Sequence, residues 1–414
     1  MLGRLSQAKA SPIWLRSLPK MTRQLPTPSA TPRLLKHLNE QTVLDLLRAD
    51  APISRAEISR RVGISKPTVS LALQSLLDAG LVREVDHDPG GPSYGAVFFE
   101  PVPDAALVLG LDLGARFLRG AICDLRGEIR ARQDVEIADP DAASAVVAIE
   151  ALRTSLVSAT GLSGELLDGV VVGVPGVFDG ANGLVSLTSF PGLDGMAFGA
   201  AVESVLGRPV EVENDINLAA LGEQWVGVAQ GVDDFAFLSV GTGLGAGLVL
   251  RGELHRGHHG AAGELDFFAA GIDQDIDPCA GALSQLAARL AKQWDGNSLL
   301  EAPFDPRAIF GAARSGDSLA RQVVEEEARR IALHIAPLAA VADMALVVLG
   351  GGIGTNGDLL LAPVRRLLAE WLSYPPKVEV STLGDAAVLS GALAVGRRAA
   401  LDNVFTRRPS AAAI

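Results

Sequence analysis

Between Pro52 and Val85 the capping residues, apolar positions and glycines are spaced so that two short helices, a tight turn and a strand are the natural reading. Ser54 and Glu57 stand three apart, as in a capping box, where hydroxyl and carboxylate each satisfy a backbone donor orphaned at a helix start. The spacing predicts a helix from Arg55 to Val62. Gly63 supplies the turn, and Ser65 caps a second helix, reaching Ala79, whose first turn accepts Pro67 because no intrahelical N–H bond is lost there. Val69, Leu73, Leu76 and Leu77 fall at i, i+4, i+7 and i+8, one buried stripe. Gly80 ends the helix, and Leu81 to Val85 and Val97 to Phe99 pair as strands around a wing loop, Asp86 to Ala96. The helix face led by Ser65, Lys66, Thr68 and Ser70, with Gln74 beyond, is short, polar and partly basic, as a helix in a DNA major groove needs. Arg55, opening the first helix, joins it as a candidate DNA contact.

Such a pattern alone also fits a small structural bundle, and charge argues against that. Residues 1–85 hold 13 Lys and Arg against 6 Asp and Glu, a net of +7. The whole chain has 36 against 48, which leaves the other 329 residues with 23 against 42, a net of −19. A basic head on an acidic body is what phosphate contact with double-stranded DNA predicts.

At 414 residues the chain exceeds one ordinary core and suits a small module, residues 34–100, followed by a two-lobed body, residues 106–400. No run approaches the roughly 20 apolar residues of a membrane span, so no membrane partner is expected. Residues 1–33, with five prolines and no acid, read as a flexible basic arm rather than a transit peptide, because a DNA-binding pattern follows directly; residues 401–414 read as a flexible tail. Cys123 and Cys279 alone make neither a disulfide framework nor a multi-thiolate metal site, and a cytoplasmic protein is expected.

In the body, Leu107 to Asp112, Leu118 to Asp124 and Ile129 to Ile137 read as three strands, Ala142 to Ala159 as a helix and Val170 to Val174 as an apolar strand. The order recurs in Phe235 to Val240, Gly247 to Arg251 and Leu346 to Leu349. Even the spelling returns, as Leu125-Arg-Gly-Glu-Ile129 and Leu250-Arg-Gly-Glu-Leu254. This favours an internal duplication, two α/β lobes facing each other across a cleft where a small ligand binds.

Four segments are candidates to line that cleft. Asp112 to Arg116 and Gly241 to Gly247 are glycine-bearing hairpin turns whose backbone N–H groups can approach phosphate oxygens, though each also fits a plain turn. Val210 to Ile216 ends a strand and opens a helix; in a kinase Asp215 there takes the proton of an attacking hydroxyl, and in the alternative Asn214 and Asp215 only cap the helix. Gly257 to Glu264, GHHGAAGE, places a carboxylate after a close-packed run, suited to sugar hydroxyls, unless Glu264 is a plain surface acid.

With ISRAEISRRVGISKPTVS, VENDINLAALGE and SVGTGLGAGLVLRGELHRGHHGAAGE in this order, the chain from about Leu34 to Ala400 resembles the ROK family of repressors, open reading frames and sugar kinases, and specifically its regulators with an N-terminal winged helix. The resemblance implies an α/β, actin-like (ribonuclease-H-like) ATPase-type fold with sugar bound between lobes. It implies sugar contacts at Asn214, Asp215 and Glu264, with Asp215 as a vestigial catalytic base and Ser189 near the place of a sugar-binding Asn. It also implies a vestigial nucleotide site at Asp112, Gly114, Gly241, Thr242 and Gly243, with Gly350, Gly351 and Gly352 on the adenosine side.

The chain departs from that pattern in three places. The kinase phosphate loop resembles Asp-x-Gly-Gly-Thr, but here Ala115 and Arg116 replace its last two residues, which puts a Cβ and a bulky side chain where backbone must touch phosphate. The family's structural zinc site is reduced to Cys279, with Phe267 at the His position, so no metal and no cofactor is expected. The wing reads Gly90-Gly-Pro-Ser-Tyr94 without the Arg that related regulators carry. The expectation is a sugar-responsive, DNA-binding repressor that is not an enzyme, binds a sugar or sugar phosphate, and works as a homodimer or a tetramer. The rival is an active sugar kinase with a DNA-binding head.

Overall fold

The computed structural model describes residues 32–86, 96–138, 140–266 and 276–407. The arm up to residue 31, the wing residues 87–95, the segment 267–275 with Phe267, and the tail from 408 lie outside the described residues.

Helix α1 (Pro32–Asp50) opens the head, followed by strand β1 (Ile53–Ser54), α2 (Arg55–Val62), α3 (Lys66–Asp78), β2 (Val82–Val85) and β3 (Phe98–Pro101). Sequence reasoning found α2 and α3 but not α1, whose Val43, Leu44 and Leu47 are buried against Val69, Leu73 and Leu76. The capping box is half formed. Ser54 accepts from the Glu57 N–H (3.4 Å), while the Glu57 carboxylate turns to Nε of Arg60 and Arg61, both at 2.8 Å. Ala72 rather than Leu77 completes the buried face of α3. The strands pair as expected, with β3 slipped toward Pro101 and flanked by both β1 and β2.

The body repeats one topology twice. In the first lobe β4 (Leu107–Leu113), β5 (Phe117–Cys123) and β6 (Ile129–Glu136) form an antiparallel meander. After α4 (Ala142–Thr160), β7 (Leu167–Val174) adds parallel to β4; the small hairpin β8 (Val177–Asp179) and β9 (Leu184–Ser186) and α5 (Phe198–Leu206) follow, and β10 (Glu211–Asn214) adds parallel to β7. Helix α6 (Asp215–Val226) then leads to the second lobe, where β11 (Phe235–Val240), β12 (Leu244–Leu250) and β13 (Glu253–Leu254) form the matching meander. After α7 (Ala280–Ala291), α8 (Pro306–Arg314) and α9 (Ser318–Ala342), β14 (Leu346–Gly350) adds parallel to β11. Beyond α10 (Gly351–Gly354) and α11 (Gly357–Trp371), β15 (Lys377–Val380) adds parallel to β14, and α12 (Ala387–Arg407) closes the chain. The two echoed Leu-Arg-Gly-Glu segments fall at equivalent turns, β5–β6 and β12–β13, so the duplication read from spelling is present in the fold.

By length and composition α4 passes for a membrane span, contrary to the reading that no run comes near one. Its Ile149, Leu152 and Leu156 are buried against the first sheet, which accounts for the apolarity as core packing. Helices α6 and α12 cross so closely that a Cβ at Gly391 would lie 1.8 Å from the Leu218 carbonyl oxygen. The predicted tail is partly helix: α12 runs to Arg407, the Asn403 amide donates to the Asp168 carbonyl (2.6 Å), and Val404 is buried in the core of the head.

Candidate functional sites

A cleft of about 900 Å³ separates the lobes. From the first lobe it is lined by Gly114, Ala115, Gly176, Ser189, Asn214 and Asp215. The second contributes Gly241, Thr242, Gly243, Glu264, Gly351 and Gly352. Most of the expected sugar-side and nucleotide-side residues therefore meet in one place.

Asn214 serves both readings offered for it. As N-cap of α6 its Oδ1 accepts from the Asn217 N–H (2.9 Å), and its Nδ2 donates to the Gly176 carbonyl (2.9 Å), fixing its edge toward the cleft. Asp215 follows in the first turn, with Oδ1 accepting from the Ile216 N–H (2.8 Å). Burial, reinforced by the negative charges of Asp112 and Glu264, pushes its carboxyl up to about 7. Such a group both accepts and donates hydrogen bonds to hydroxyls near neutral pH. Burial, and then Asp266, also raises Glu264.

Glu264 is placed by an unusually close approach. Gly263, at φ +89°, lays the loop against β12 so that its carbonyl accepts from the Ala246 N–H (2.8 Å), and a Cβ there would stand 1.8 Å from the Ala246 oxygen. A glycine is obligatory at this point.

Several expectations need correction. Asp112 does not line the cleft: it sits directly opposite Arg119 in the β4–β5 ladder and pairs with it at 3.1 Å, buried behind Asp215, with burial raising its carboxyl to about 6. Gly350 ends β14 beneath the Phe237 ring, leaving only Gly351 and Gly352 at the cleft. The turn read as Gly241 to Gly247 is shorter, since β12 starts at Leu244; Gly245 and Gly247 are small because α6 packs on them, through Ile216 and Ala220. Arg116 does not fill the phosphate position but reaches Glu136 on β6 at 3.0 Å, so the obstacle there is the Ala115 Cβ and the missing hydroxyl.

Sequence reasoning missed Asp266, Arg307 and Arg314. Asp266 lines the cleft while accepting from the Leu244 N–H (2.8 Å), and Cys279 Sγ lies 3.8 Å from it. On α8, Arg314 grips Asp358 with two bonds of 2.7 Å, and the exposed Arg307 stands at the mouth. Neither acid nor arginine carries a local signature. Among the described residues no group of three or more His, Cys, Asp or Glu is arranged to hold a metal ion.

On the head, α3 projects Ser65, Lys66 and Gln74 into solvent, with Thr68 and Ser70 half-buried. The Ser65 and Thr68 hydroxyls share a hydrogen bond (2.8 Å), Ser70 bonds back to the Lys66 carbonyl (2.9 Å), and Gln74 reaches Asp78 (2.8 Å). The face is thus preorganised, and DNA contacts at Ser70 and Gln74 require these local bonds to be exchanged. Leu71, 72 % exposed between them, escaped the sequence reading; an apolar side chain on such a face suits a thymine methyl. Arg55 is exposed with its guanidinium 5.7 Å from the Phe99 ring centre. Charge is distributed unevenly: residues 1–31 carry five Lys and Arg and no acid, so residues 32–85 have 8 against 6, a net of only +2. Arg48, Arg60, Arg61 and Arg83 are already paired with acids.

Comparison with known proteins agrees with this geometry. The ROK family profile matches residues 108–399, and a winged helix-turn-helix DNA-binding profile matches residues 38–83. A xylose repressor of Caldicellulosiruptor bescii is 27 % identical over 387 residues, covering 87 % of this chain and 96 % of that protein. A glucokinase of Streptomyces coelicolor is 30 % identical, covering 70 % of this chain and 98 % of its own. Among solved structures, a ROK family transcriptional regulator, homologue of the E. coli MLC protein, superposes with a TM-score of 0.77 at 23 % identity, over 90 % of this chain and 98 % of that one. With the profile spanning most of the body and a DNA-binding head ahead of it, the chain belongs to the ROK family.

Proposed function

We propose that this protein is a sugar-responsive transcriptional repressor of the cytoplasm, in which α3 reads an operator and a sugar or sugar phosphate between the lobes sets the grip of the head. The observation that carries this reading is the path of α6. It begins at Asn214 and Asp215 in the cleft and runs about 18 Å, at 1.5 Å per residue, to its far end beside α12. Helix α12 packs along it and buries Val404 in the head. Ligand contact at one end is therefore connected mechanically to the DNA reader at the other. To change DNA occupancy the ligand binds one lobe arrangement better than the other.

The protein binds as a homodimer, since one α3 covers few base pairs and paired half-sites multiply affinity. It needs no zinc, because among the described residues Cys279 faces a carboxylate rather than a set of four N or S donors. It does not transfer phosphate, as the Ala115 Cβ stands where backbone must approach the nucleotide. Selection of bound genomic fragments by the purified full chain tests the reading, repeated with a panel of pentoses and hexoses that starts with xylose, the sugar named for the repressor relatives. The expected result is a recurrent palindromic site released by one sugar. Equal binding of genomic and random duplex at moderate salt refutes it.

A second reading, a sugar kinase with a DNA-binding head, is favoured by one observation: Asp215, Asn214 and Glu264 are all in place, with the Asp215 carboxyl near 7. Sugar-dependent ATP consumption abolished by Asp215→Asn decides for the kinase.

A further inference from the structure

A second cavity, of about 970 Å³, lies where the head meets the body. Head helix α1 forms one wall with Gln41, Asp45 and Arg48; α6 and α12 form another with Trp225, Arg397 and Arg398. Its charge is mostly committed at the far side, where Arg256 is tied to Glu213 at 2.6 Å and the acids Glu211 and Glu253 line the wall. Near the head the balance differs. The Arg48 side chain is only 6 % exposed; its Nη1 bonds Asp45 at 3.1 Å, and its Nε and Nη2 have no partner among the described residues. That pair of donors is the edge with which Arg314 holds Asp358 by two bonds of 2.7 Å. The Arg397 guanidinium carbon lies over Trp225, 4.9 Å from the ring centre, and Arg397 has no hydrogen bond or ion pair among the described residues; its Nε is buried without a partner there. Arg398 is exposed at the rim.

Guanidiniums that line one cavity, with donors of Arg48 and Arg397 shut away from water and unpaired, are unfavourable unless an anion joins them. The like charge of Arg397, after burial itself, brings Arg48 down to about 10. Three guanidiniums call for a dianion with three oxygens, which a phosphate group offers and a carboxylate does not. In the structure the Arg48 edge makes no solvent contact, so a ligand draws it out by side-chain rotation, exchanging unpaired donors for paired ones.

We propose that this junction cavity binds a phosphate group, free or carried on a small metabolite, between Arg48 of the head and Arg397 and Arg398 of the body, and so ties head to body. The site is separate from the interlobe cleft, and it stands or falls independently of the sugar reading made there.

The test titrates the full chain with inorganic phosphate, glucose 6-phosphate and glucose at constant ionic strength, followed by calorimetry and by Trp fluorescence. Saturable binding of at least one phosphate probe is expected, with a Trp225 signal judged by comparison with Trp225→Phe; any binding of glucose is lost with Asp215→Asn rather than with Arg398→Gln. Binding of both probes identifies free phosphate as sufficient; binding of the ester alone identifies a metabolite. Arg397→Gln is expected to weaken binding about tenfold or more, the loss of a charge-assisted contact. Arg398→Gln, on the exposed rim and harmless to folding, weakens it severalfold, and Asp215→Asn leaves it unchanged. No saturable binding of either phosphate probe to the unaltered chain overturns the proposal. So does binding that survives Arg398→Gln unweakened, or binding that Asp215→Asn removes.

Discussion

Replacing Asp215 with Asn is expected to make the protein more stable at alkaline pH, and the reason is electrostatic. An ordinary Asp titrates near 3.8, whereas burial, Asp112 and Glu264 push Asp215 up to about 7. A carboxyl that holds its proton more tightly folded than unfolded stabilises the fold only while protonated. Its contribution is fully present below about pH 4, is lost as pH climbs to about 7, and stays lost above. A shift of about three units, at about 1.4 kcal/mol each, sets a ceiling of about 4 kcal/mol. Two effects lower it. Asp112, raised to about 6, shares the repulsion, so the two carboxyls titrate as a pair and relief at one eases the other. The positive end of α6 also favours an ionised Asp215 by up to about 1 kcal/mol.

The recoverable amount is therefore about 2 kcal/mol at pH 8 and near zero at pH 4. Asn retains an oxygen to accept from the Ile216 N–H, which isolates the charge as the variable. Urea unfolding from pH 4 to 8.5 measures it by Trp fluorescence. Three of the four Trp, Trp225, Trp294 and Trp371, lie in the body and residues 32–101 contain none, so with Trp14 replaced by Phe in both chains the signal follows the two lobes. The unaltered chain should lose stability between pH 4 and 7, and the variant much less. A variant no more stable than its parent at pH 8, or a parent whose stability is flat over that range, refutes the argument.

Two further substitutions probe the other parts. Leu71→Ala removes an exposed side chain, so it should change thermal stability by less than about 0.5 kcal/mol while weakening operator binding in footprinting; unchanged footprints would remove Leu71 from the reading face. Lys66→Ala combined with Thr68→Ala should likewise abolish specific footprints and leave sugar affinity intact. Gly263→Ala places a Cβ 1.8 Å from the Ala246 oxygen at φ +89°, which should cost at least about 2–3 kcal/mol and displace Glu264; calorimetry and sugar titration would show both, and an unaltered transition would contradict the close approach.

Legibility in the sequence tracked the range of the interaction. Helices α2 and α3 carry their caps and turn within a few residues, and the meander β4 to β6 and the hairpin β11 to β12 carry short turns, so both are readable, whereas the two-residue β13 carries no pattern of its own. Helix α1 was hidden because Pro32 closes a proline-rich run and looked like part of the arm, although Pro suits the first turn of a helix. Val404 reads as part of the tail, and only its burial in the core of the head, contributed by residues about 300 positions earlier, gives it a structural role. Asp112 was assigned to phosphate by motif, but its partner Arg119 follows from ladder register, which depends on the turn between them. Arg307 and Arg314 reach the cleft on α8, and Asp266 through its bond to the Leu244 N–H, and nothing near them in the chain announces it.

The placement of α6 decides how a ligand signal must travel. The head is held along the linker, where Leu125 N–H donates to the Pro103 carbonyl (3.0 Å) and Arg126 pairs with Glu100 at 3.6 Å, and at the end of α12 through Val404. These linker contacts are made with the β5–β6 turn of the first lobe, which does not carry relative movement of the lobes. Helix α6 issues from the first sheet, yet it lies so close to the second that a Cβ at Gly247 would be 2.7 Å from the Ile216 oxygen and from the Ala220 Cβ. Surfaces packed at that distance do not slide freely, so under the function proposed above a second lobe that closed on a ligand would carry α6 with it. Its far end carries Trp225, on which Arg397 of α12 is stacked, and α12 ends in the head. Closure in the cleft and the junction cavity beside the head thus share one lever, and an anion between Arg48 and Arg397 would act on that lever directly.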